Sequence, residues 1–494
     1  MFRTKNLGSI LHVADQGKYH LKRVLSLGDL TSLGVGAIIG AGIFVLVGTA
    51  AAGSGDRLGA GPALMISFIL TAVACGFSAL CYAEFASVVP ISGSAYTYSY
   101  FTFGEVVAWI IGWDLILEYA VGNIAVAISW SGYFVELLRG FHIELPVWLT
   151  TNYNLASQNS TTFESAPYLF GFPVIINLPA VLIVAVITLV LVIGIKESSR
   201  FNTIMVVIKL VVLLFFILLG AFYVKPENWQ PFIPNGWGSV MTGASLVFFA
   251  YIGFDAISTL AEETKNPQRD LPLAMIGSLM ICTVLYIAVA AVLMGIVPYQ
   301  QLNVPEPLAL AFSYLDMNWA AGIVAFGAVV STTAVLLVFQ LGQPRILFAM
   351  SRDGLLPRQF AKVHARYQTP HVTTILTGAV VAFFAAFMDI GEAAELTNIG
   401  TLFAFVLVCA GVIILRWRQP GLDRPFRCPW VPLIPMLGIV ICFYLMISLP
   451  WVTWVRFFVW LGIGMAIYLC YGRRHSKLVN QDKQTSANKH IQES

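Results

Sequence analysis

A few ionisable side chains lie deep within long apolar runs of the sequence, among them Asp114, Glu118, Lys209 and Asp255. Charges inside a bilayer are rare and are by default candidates for function. At about 1.5 Å per residue, Lys209 and Asp255 each lie roughly 12 Å from one end of their runs, so they can share a depth. A buried lysine can change protonation near neutral pH, so Lys209 is either a proton carrier or the fixed partner of Asp255. Glu118 could meet a substrate amine or make an interior hydrogen bond, whereas Asp114, one turn away, suits a structural role.

Two of the apolar runs are interrupted by glycine. One reads GVGAIIGAGIFVLVG and contains Gly40-Ala41-Gly42, and the other reads FFAYIGFDAISTLAEE, with Gly253 beside Asp255. Glycines in such runs can simply let helices pack closely, but unwound backbone at membrane depth lines a cavity. We expect breaks at Gly40–Gly42 and at Ile252–Phe254, facing each other.

Facing helix breaks suit a zwitterion. The free N–H groups that begin one half-helix attract a carboxylate. Free carbonyl groups at the end of another half-helix accept hydrogen bonds from an ammonium. An α-amino acid carries both groups close together, so the backbone alone could hold it whatever its side chain.

Other kinds of chemistry find little support in the sequence. The seven histidines lie in loops, tails or the ends of apolar runs, which argues against a metal site or a histidine relay. The apolar runs contain no serine, cysteine or histidine constellation typical of an enzyme, and the sequence has no GxxxxGK[ST] nucleotide loop. We therefore expect neither enzymatic activity nor a cofactor, a metal or a nucleic-acid partner.

The elements that must position these residues are membrane spans. Of the 494 residues, 58% are hydrophobic and only 11% are charged, whereas soluble domains carry roughly 25% charge. A span needs about 20 apolar residues, and twelve runs qualify. The predicted spans are 28–52, 61–89, 105–133, 173–194, 201–224, 240–263, 272–297, 319–350, 371–389, 394–415, 431–449 and 454–471.

Lysine and arginine predict the orientation. With the N-terminus inside, 23 of the 28 basic residues lie on the cytoplasmic side and four lie outside, as the positive-inside rule requires. The predicted organisation is a cytoplasmic N-terminal segment, 1–27, a transmembrane domain, 28–471, and a disordered cytoplasmic tail, 472–494. Both termini are expected in the cytoplasm.

Several motifs resemble a known superfamily. They are GVGAIIGAGIFVLVG, YAEFASVVPISGSAYTYSY, GWDLILEY, FFAYIGFDAISTLAEETKNPQRDLP, SRDGLLP and ELTNIGTLFAF. Together they resemble the amino acid–polyamine–organocation superfamily and, more narrowly, its bacterial cationic amino acid transporter branch. The resemblance covers roughly residues 25 to 475. It implies an all-α membrane protein of the LeuT type, with a five-plus-five inverted repeat, two further C-terminal helices and broken helices 1 and 6.

The resemblance also implies a substrate site at the two breaks. The carboxylate would be held at Ile38, Ala41 and Gly42 and the amine near Phe249, Ala250 and Ile252, with Phe249 as an aromatic lid toward the outside. The wider set of implied substrate-binding residues adds Gly40, Ile43, Glu118, Gly253, Phe254, Phe339 and Gln340.

The resemblance further places Lys209 where sodium-coupled relatives bind a sodium ion. It therefore implies proton-coupled, sodium-independent transport, with Lys209 and Asp255 as the coupling residues. Phe339 and Gln340 would line the side-chain pocket, and a bulky Phe339 would favour small neutral substrates such as alanine over cationic ones.

The expected function is secondary active amino acid transport in the plasma membrane, and two alternatives stay open. An exchanger could keep Lys209 as a permanent stand-in for sodium, and a receptor without transport could keep the site but not the cycle. The expected partners are an L-amino acid, protons and the lipid bilayer, with a small accessory membrane protein as a further candidate.

Overall fold

The computed structural model describes residues 25–476 apart from 55–56, 90–93, 154–155, 157–164, 170, 194–198 and 365–368. Most of the two terminal segments predicted from the sequence, 1–27 and 472–494, lies outside the described residues.

The described chain is almost entirely helical. Its α-helices are α1 Leu27–Ile38, α2 Val47–Ala52, α3 Leu64–Val88, α4 Ser94–Thr102, α5 Glu105–Gly140, α6 Leu178–Ile193, α7 Ser199–Gly220, α8 Gly236–Val247, α9 Pro267–Ile296, α10 Pro307–Ser313, α11 Asn318–Arg352, α12 His371–Ala385, α13 Ile390–Arg418, α14 Leu433–Ile447, α15 Trp451–Ile467 and α16 Arg473–His475. Short 3₁₀ turns are Gly61–Ala63, Val147–Leu149, Ala221–Tyr223, Pro226–Trp229, Phe248–Tyr251, Asp255–Glu263, Tyr299–Gln301 and Arg358–Ala361, and π-helical turns are Gly42–Leu46 and Tyr468–Gly472. Two-stranded hairpins pair β1 Gly53–Ser54 with β2 Arg57–Leu58 and β3 Tyr168–Leu169 with β4 Phe172–Pro173.

The helices have the length and composition of membrane spans. Eight helical segments of the described chain are long and apolar enough to cross a bilayer, and the bent pair Leu27–Ile38 and Gly42–Ala52 makes a ninth. Three shorter apolar helices, α6, α12 and α14, have 15 or 16 residues. The protein is therefore an all-α, multi-pass membrane protein.

One predicted span starts later than expected. The run predicted to begin at residue 173 becomes helical only at Leu178. Residues 172 and 173 pair instead with Leu169 and Tyr168 in the second hairpin. An apolar composition could not reveal this hairpin, because short exposed hairpins depend on turn geometry rather than on hydrophobicity.

The helices divide into a buried centre and an apolar periphery. Helix α5 lies at the centre and packs against α11, α13 and α12. Peripheral helix α6 instead exposes Leu182, Val186 and Leu189 while burying Val184 and Ile187. An outward face of leucine and valine at helical spacing suits contact with lipid.

The start of α1 is tied to the end of the second glycine-interrupted segment. Ser26 and Asp29 form a capping box, in which the Ser26 N–H donates to Asp29 Oδ2 (2.9 Å) and the Asp29 N–H donates to Ser26 Oγ (3.4 Å). Next to this cap, the Lys265 N–H donates to the Leu25 carbonyl (3.0 Å). The start of the first interrupted segment and the end of the second are thus joined through the backbone.

Candidate functional site: two facing helix breaks

The first interruption follows α1. Helix α1 ends at Ile38, Ile39 adopts an extended conformation, and a wide π turn begins at Gly42. The two helical halves are bent by 43°. No backbone carbonyl of the described chain accepts a hydrogen bond from the N–H groups of residues 40–43, as expected for the first turn of a new helix. The start of this half-helix therefore carries free N–H groups and a partial positive charge.

Lys209 satisfies carbonyl groups freed by this break. Its ammonium, on α7, donates to the carbonyls of Gly36 (2.6 Å) and Ile39 (3.0 Å), and the side chain is fully buried. Burying a charge is costly unless it is hydrogen-bonded, and these carbonyls supply that compensation. Lys209 therefore stabilises the interrupted backbone of the first break from the neighbouring helix.

Two further side chains meet the same break, and reasoning from the sequence did not find them. Tyr286 Oη, on α9, lies 2.9 Å from the carbonyls of both Ile38 and Ala250, and its one proton can serve one of them at a time. Ser331 Oγ, on α11, donates to the Ile39 carbonyl (3.1 Å). A hydroxyl in the middle of an apolar span was the available signal, but many such hydroxyls bond only to their own helix.

The second interruption follows α8. The 3₁₀ turn Phe248–Tyr251 ends in an extended Ile252, and Gly253 has φ of +121°, which a residue with a side chain rarely adopts. Asp255 Oδ1 accepts a hydrogen bond from the Gly253 N–H (3.2 Å), and Ser258 Oγ donates to the Asp255 carbonyl (2.5 Å). The backbone after the second break is therefore stabilised by hydrogen bonds within its own segment.

The two breaks touch each other through backbone. A Cβ atom at Gly42 would overlap the Cα of Ala250, and one at Gly253 would lie 2.9 Å from the carbonyl carbon and oxygen of Ala37. Glycine is therefore needed at both positions. The N-terminal end of one half-helix and the C-terminal end of the other meet here, with opposite partial charges.

A small cavity of about 10 Å³ lies between the breaks. Of the predicted substrate-binding residues, those that line it are Ile38, Gly40, Ala41, Gly42, Phe249, Ile252 and Phe339. Ala37, Val126 and Val335 complete the lining and were not predicted. None of these residues is charged, and the cavity is too small to hold an amino acid.

Other predicted residues support the cavity without lining it. Ile43, Ala250 and Phe254 are buried beside it, and Gly253 forms the contact with Ala37. Phe339, in the lining, packs edge to face against Tyr119 with ring centroids 5.6 Å apart. The ring of Tyr119 therefore packs against the Phe339 side chain.

Gln340 lies elsewhere, which corrects its predicted place beside Phe339. Its Nε2 donates to Thr188 Oγ1 on α6 (2.5 Å), and the residue lines a different cavity. Successive helical residues point about 100° apart, so Phe339 and Gln340 cannot both face the breaks.

Lys209 and Asp255 do not form an ion pair. Lys209 binds carbonyls of the first break, whereas Asp255 caps the Gly253 N–H. The sequence indicated that the two residues share a depth in the membrane, but it did not determine the direction in which each side chain points. The alternative of a fixed Lys209–Asp255 pair is therefore wrong.

Glu118 is buried but does not line the cavity between the breaks. Its neighbours are the carboxyl groups of Asp255 and Asp114, and it lies within hydrogen-bonding reach of the Thr401 hydroxyl. Any contact with a substrate amine would need the site to open toward α5.

Comparison with known proteins shows the family of this chain. The sequence profile of the family described as amino acid permease matches residues 25–470. The branched-chain amino acid permease BcaP of Bacillus subtilis is 51% identical over 479 residues, covering 97% of this chain and 99% of the relative. The methylthioribose transporter of the same organism is 47% identical over 478 residues, with the same coverage. Cationic amino acid transporter 4 of Homo sapiens is 32% identical over 582 residues, covering 92% of this chain and 88% of the relative.

Proposed function

The chain belongs to the amino acid permease family, and we propose that it carries neutral L-amino acids across the membrane by proton-coupled, sodium-independent symport. The observation that carries the proposal is the pair of facing helix ends, with free N–H groups at residues 40–43 opposite the end of the segment that contains Phe249 and Ala250. An α-carboxylate fits the first end and an α-ammonium fits the second.

The lining of the closed cavity favours an aliphatic side chain. Val126, Val335 and Phe339 contribute apolar surface, and no acidic residue lines the cavity to pair with a cationic substrate. We propose neutral aliphatic substrates, from alanine to the branched-chain amino acids. The name of the 51% identical branched-chain permease supports the larger members of this group.

A sugar thioether is the competing substrate, because one relative is named a methylthioribose transporter. Such a molecule has neither a carboxylate nor an ammonium. The opposite partial charges of the two helix ends would then have no partner in the substrate, and for this reason we favour the amino acid.

For coupling, we assign the proton to Lys209. Its ammonium occupies carbonyl groups at the first break that could otherwise bind a metal cation, which supports sodium independence. Loss of the proton would weaken the charge-assisted hydrogen bonds to Gly36 and Ile39. The bent segment would then be freer to move relative to α7.

We propose the LeuT-type arrangement of twelve spans, with a five-plus-five repeat and both termini in the cytoplasm. Nine long segments, counting the bent pair, and three shorter apolar helices support this number. The two interrupted segments lie in corresponding positions of the proposed repeats, as expected for a transporter site near the membrane midplane. The excess of basic residues on one side supports the orientation.

The test is uptake into proteoliposomes that contain the purified protein. Labelled alanine, isoleucine, arginine and methylthioribose are each offered with and without an inward proton gradient, in sodium-free buffer. We expect alanine and isoleucine to accumulate only with the gradient. Uptake that requires amino acid inside the vesicles and ignores the gradient would identify an exchanger. Binding without any flux would identify a receptor, and accumulation of methylthioribose alone would overturn the amino acid proposal.

A further inference from the structure

A second cavity of the described chain lies away from the breaks. It has a volume of about 190 Å³ and lies between the end of α6, the second half of α11 and the start of α12. Apolar side chains such as Leu191 and Pro344 form part of its wall, but it is also lined by Gln340, Arg345, Thr369 and Thr374. Polar groups in a cavity are usually paired with protein, water or ligand atoms, so this lining makes the cavity a candidate ligand site.

Gln340 contributes an unpartnered acceptor. The Thr188 hydroxyl donates to the Val184 carbonyl (2.6 Å), so its oxygen must accept the hydrogen bond from Gln340 Nε2. That bond defines the amide orientation and leaves Gln340 Oε1 without a partner among the described residues. The side chain is fully buried, and a buried amide oxygen without a donor is costly.

Arg345 contributes a cation and is exposed at the surface of the described chain. It lies on α11 one and a half turns beyond Gln340, and makes no hydrogen bond or ion pair within the part of the chain that the structure describes. A charge within a spanning helix is a candidate for ligand binding. Pro370 and Thr374 also line this region, and they lie at the start of α12, where the helix N-terminus carries a partial positive charge.

The two threonines add acceptors rather than donors. Thr369 Oγ1 donates to the Val192 carbonyl (2.9 Å), and Thr374 Oγ1 donates to the Pro370 carbonyl (3.0 Å). Each hydroxyl proton is therefore used, while the oxygen lone pairs remain available. The cavity thus offers a cation for an anionic group and several oxygens for a hydrogen-bond donor.

We infer that this cavity is a second ligand site, which binds a primary ammonium group adjacent to an anionic group. Arg345 binds the anion, and Gln340 Oε1 with the threonine oxygens binds the ammonium. Two sources carry this chemistry: a free amino acid and the head group of phosphatidylethanolamine. The cavity lies toward the Arg352 end of α11, which is cytoplasmic if the proposed orientation holds. The site itself does not depend on the proposed transport activity.

The lipid source is tested by native mass spectrometry of the purified, delipidated protein. Phosphatidylethanolamine, phosphatidylcholine and phosphatidylglycerol are added separately to the wild type, to Arg345→Gln and to Arg352→Gln. Arg352 is the matched control, because it is exposed on the same helix and does not line the cavity. We expect phosphatidylethanolamine to be retained at least fivefold more than phosphatidylcholine, whose ammonium cannot donate. Arg345→Gln should abolish this preference and Arg352→Gln should not.

The free amino acid source is tested by equilibrium binding of labelled isoleucine to the same lipid-free proteins. Two equivalents in the wild type and one in Arg345→Gln would identify a second amino acid site. Gln340→Met, which removes the acceptor without adding charge, should weaken the same binding. Absence of all isoleucine binding would count against the proposed transport function while leaving the lipid measurement intact. If Arg345→Gln changes neither lipid preference nor isoleucine stoichiometry, or if phosphatidylglycerol binds as well as phosphatidylethanolamine, the inference is overturned.

Discussion

The two helix breaks are stabilised in different ways. At the first break, the freed carbonyls bind side chains from three other helices, Lys209, Tyr286 and Ser331. At the second break, Asp255 and Ser258 stabilise the backbone after the break through hydrogen bonds within the same segment. A cation reaches the first break from outside its own segment, whereas the second break carries its own cap. The coupling that we propose for Lys209 would therefore act directly on the first break.

The start of the half-helix after the first break also differs from the end of α8 before the second break. Asn398, on α13, donates to the carbonyls of Ser245 (2.7 Å) and Leu246 (3.2 Å) near the end of α8. By contrast, the N–H groups of residues 40–43 donate to no backbone carbonyl in the described chain. Because a substrate must replace existing hydrogen bonds or fill empty ones, the N–H end is the better prepared for a ligand.

The largest effect is expected where the two breaks touch. Gly42→Val would place a branched side chain against the backbone of Ala250, and overpacking against backbone costs about 3 kcal/mol or more. We expect no measurable isoleucine uptake in proteoliposomes and a lowered melting temperature in detergent.

Gly322→Ala is the matched control for this variant. A Cβ atom at Gly322 would meet no atom within 4 Å, and alanine favours a helix over glycine by roughly 0.5–1 kcal/mol. This control should keep full uptake. Normal uptake by Gly42→Val would mean that the two breaks do not approach each other in the working protein.

The next largest effect is expected at the cation of the first break. Lys209→Met removes two charge-assisted hydrogen bonds, each worth roughly 1.5–3 kcal/mol. We expect gradient-driven uptake to fall by about 100-fold, since a loss of roughly 3 kcal/mol corresponds to that factor. Lys225→Met, at an exposed lysine in the 3₁₀ region after α7, is the control. Gradient-dependent accumulation that survives in Lys209→Met would remove Lys209 from the coupling mechanism.

A smaller effect is expected at the hydroxyl that lies between the breaks. Tyr286→Phe keeps the ring but removes the donor near the Ile38 and Ala250 carbonyls. One lost hydrogen bond is worth about 1 kcal/mol, or roughly a fivefold decrease in the uptake rate. Tyr444→Phe, at a half-exposed tyrosine on α14, should leave the rate unchanged. Equal rates in Tyr286→Phe and the wild type would show that this hydroxyl does not link the breaks during transport.

The smallest effect is expected at the local cap of the second break. Asp255→Asn retains a side-chain oxygen that can accept a hydrogen bond from the Gly253 N–H. We therefore expect the free energy of unfolding to change by less than about 1 kcal/mol, with little change in melting temperature or uptake. Asp255→Leu removes the acceptor and should cost more. A loss of proton dependence in Asp255→Asn, with folding intact, would instead make Asp255 the coupling residue and reverse the comparison.

The sequence was most informative where composition alone carries the physics. A long apolar run must hydrogen-bond its own backbone in a bilayer, so helices and their approximate limits could be predicted. Glycine beside an acid in an apolar run indicated irregular backbone around Gly253, and the structure gives Gly253 a φ of +121°. The hairpin before α6 was missed, since its turn is set by local geometry.

Individual partners in the site were harder to predict. Tyr286 and Ser331 each look like ordinary span residues until α9 and α11 are packed against the first break. Gln340 was assigned to the substrate pocket by its neighbour Phe339, yet its side chain points to α6. Sequence spacing gives depth along a helix, but the direction of a side chain depends on how that helix is rotated in the bundle.

By itself, the sequence determined that this protein is a multi-pass, all-α membrane protein of the amino acid permease family. Hydrophobicity and the backbone's need for internal hydrogen bonds leave little other choice for such a chain. Only the tertiary structure decided that Lys209 binds carbonyls of the first break rather than Asp255, and that Gln340 and Arg345 line a separate cavity. These are contacts between helices distant in sequence, and they follow from helix rotation and packing, which residue spacing does not encode.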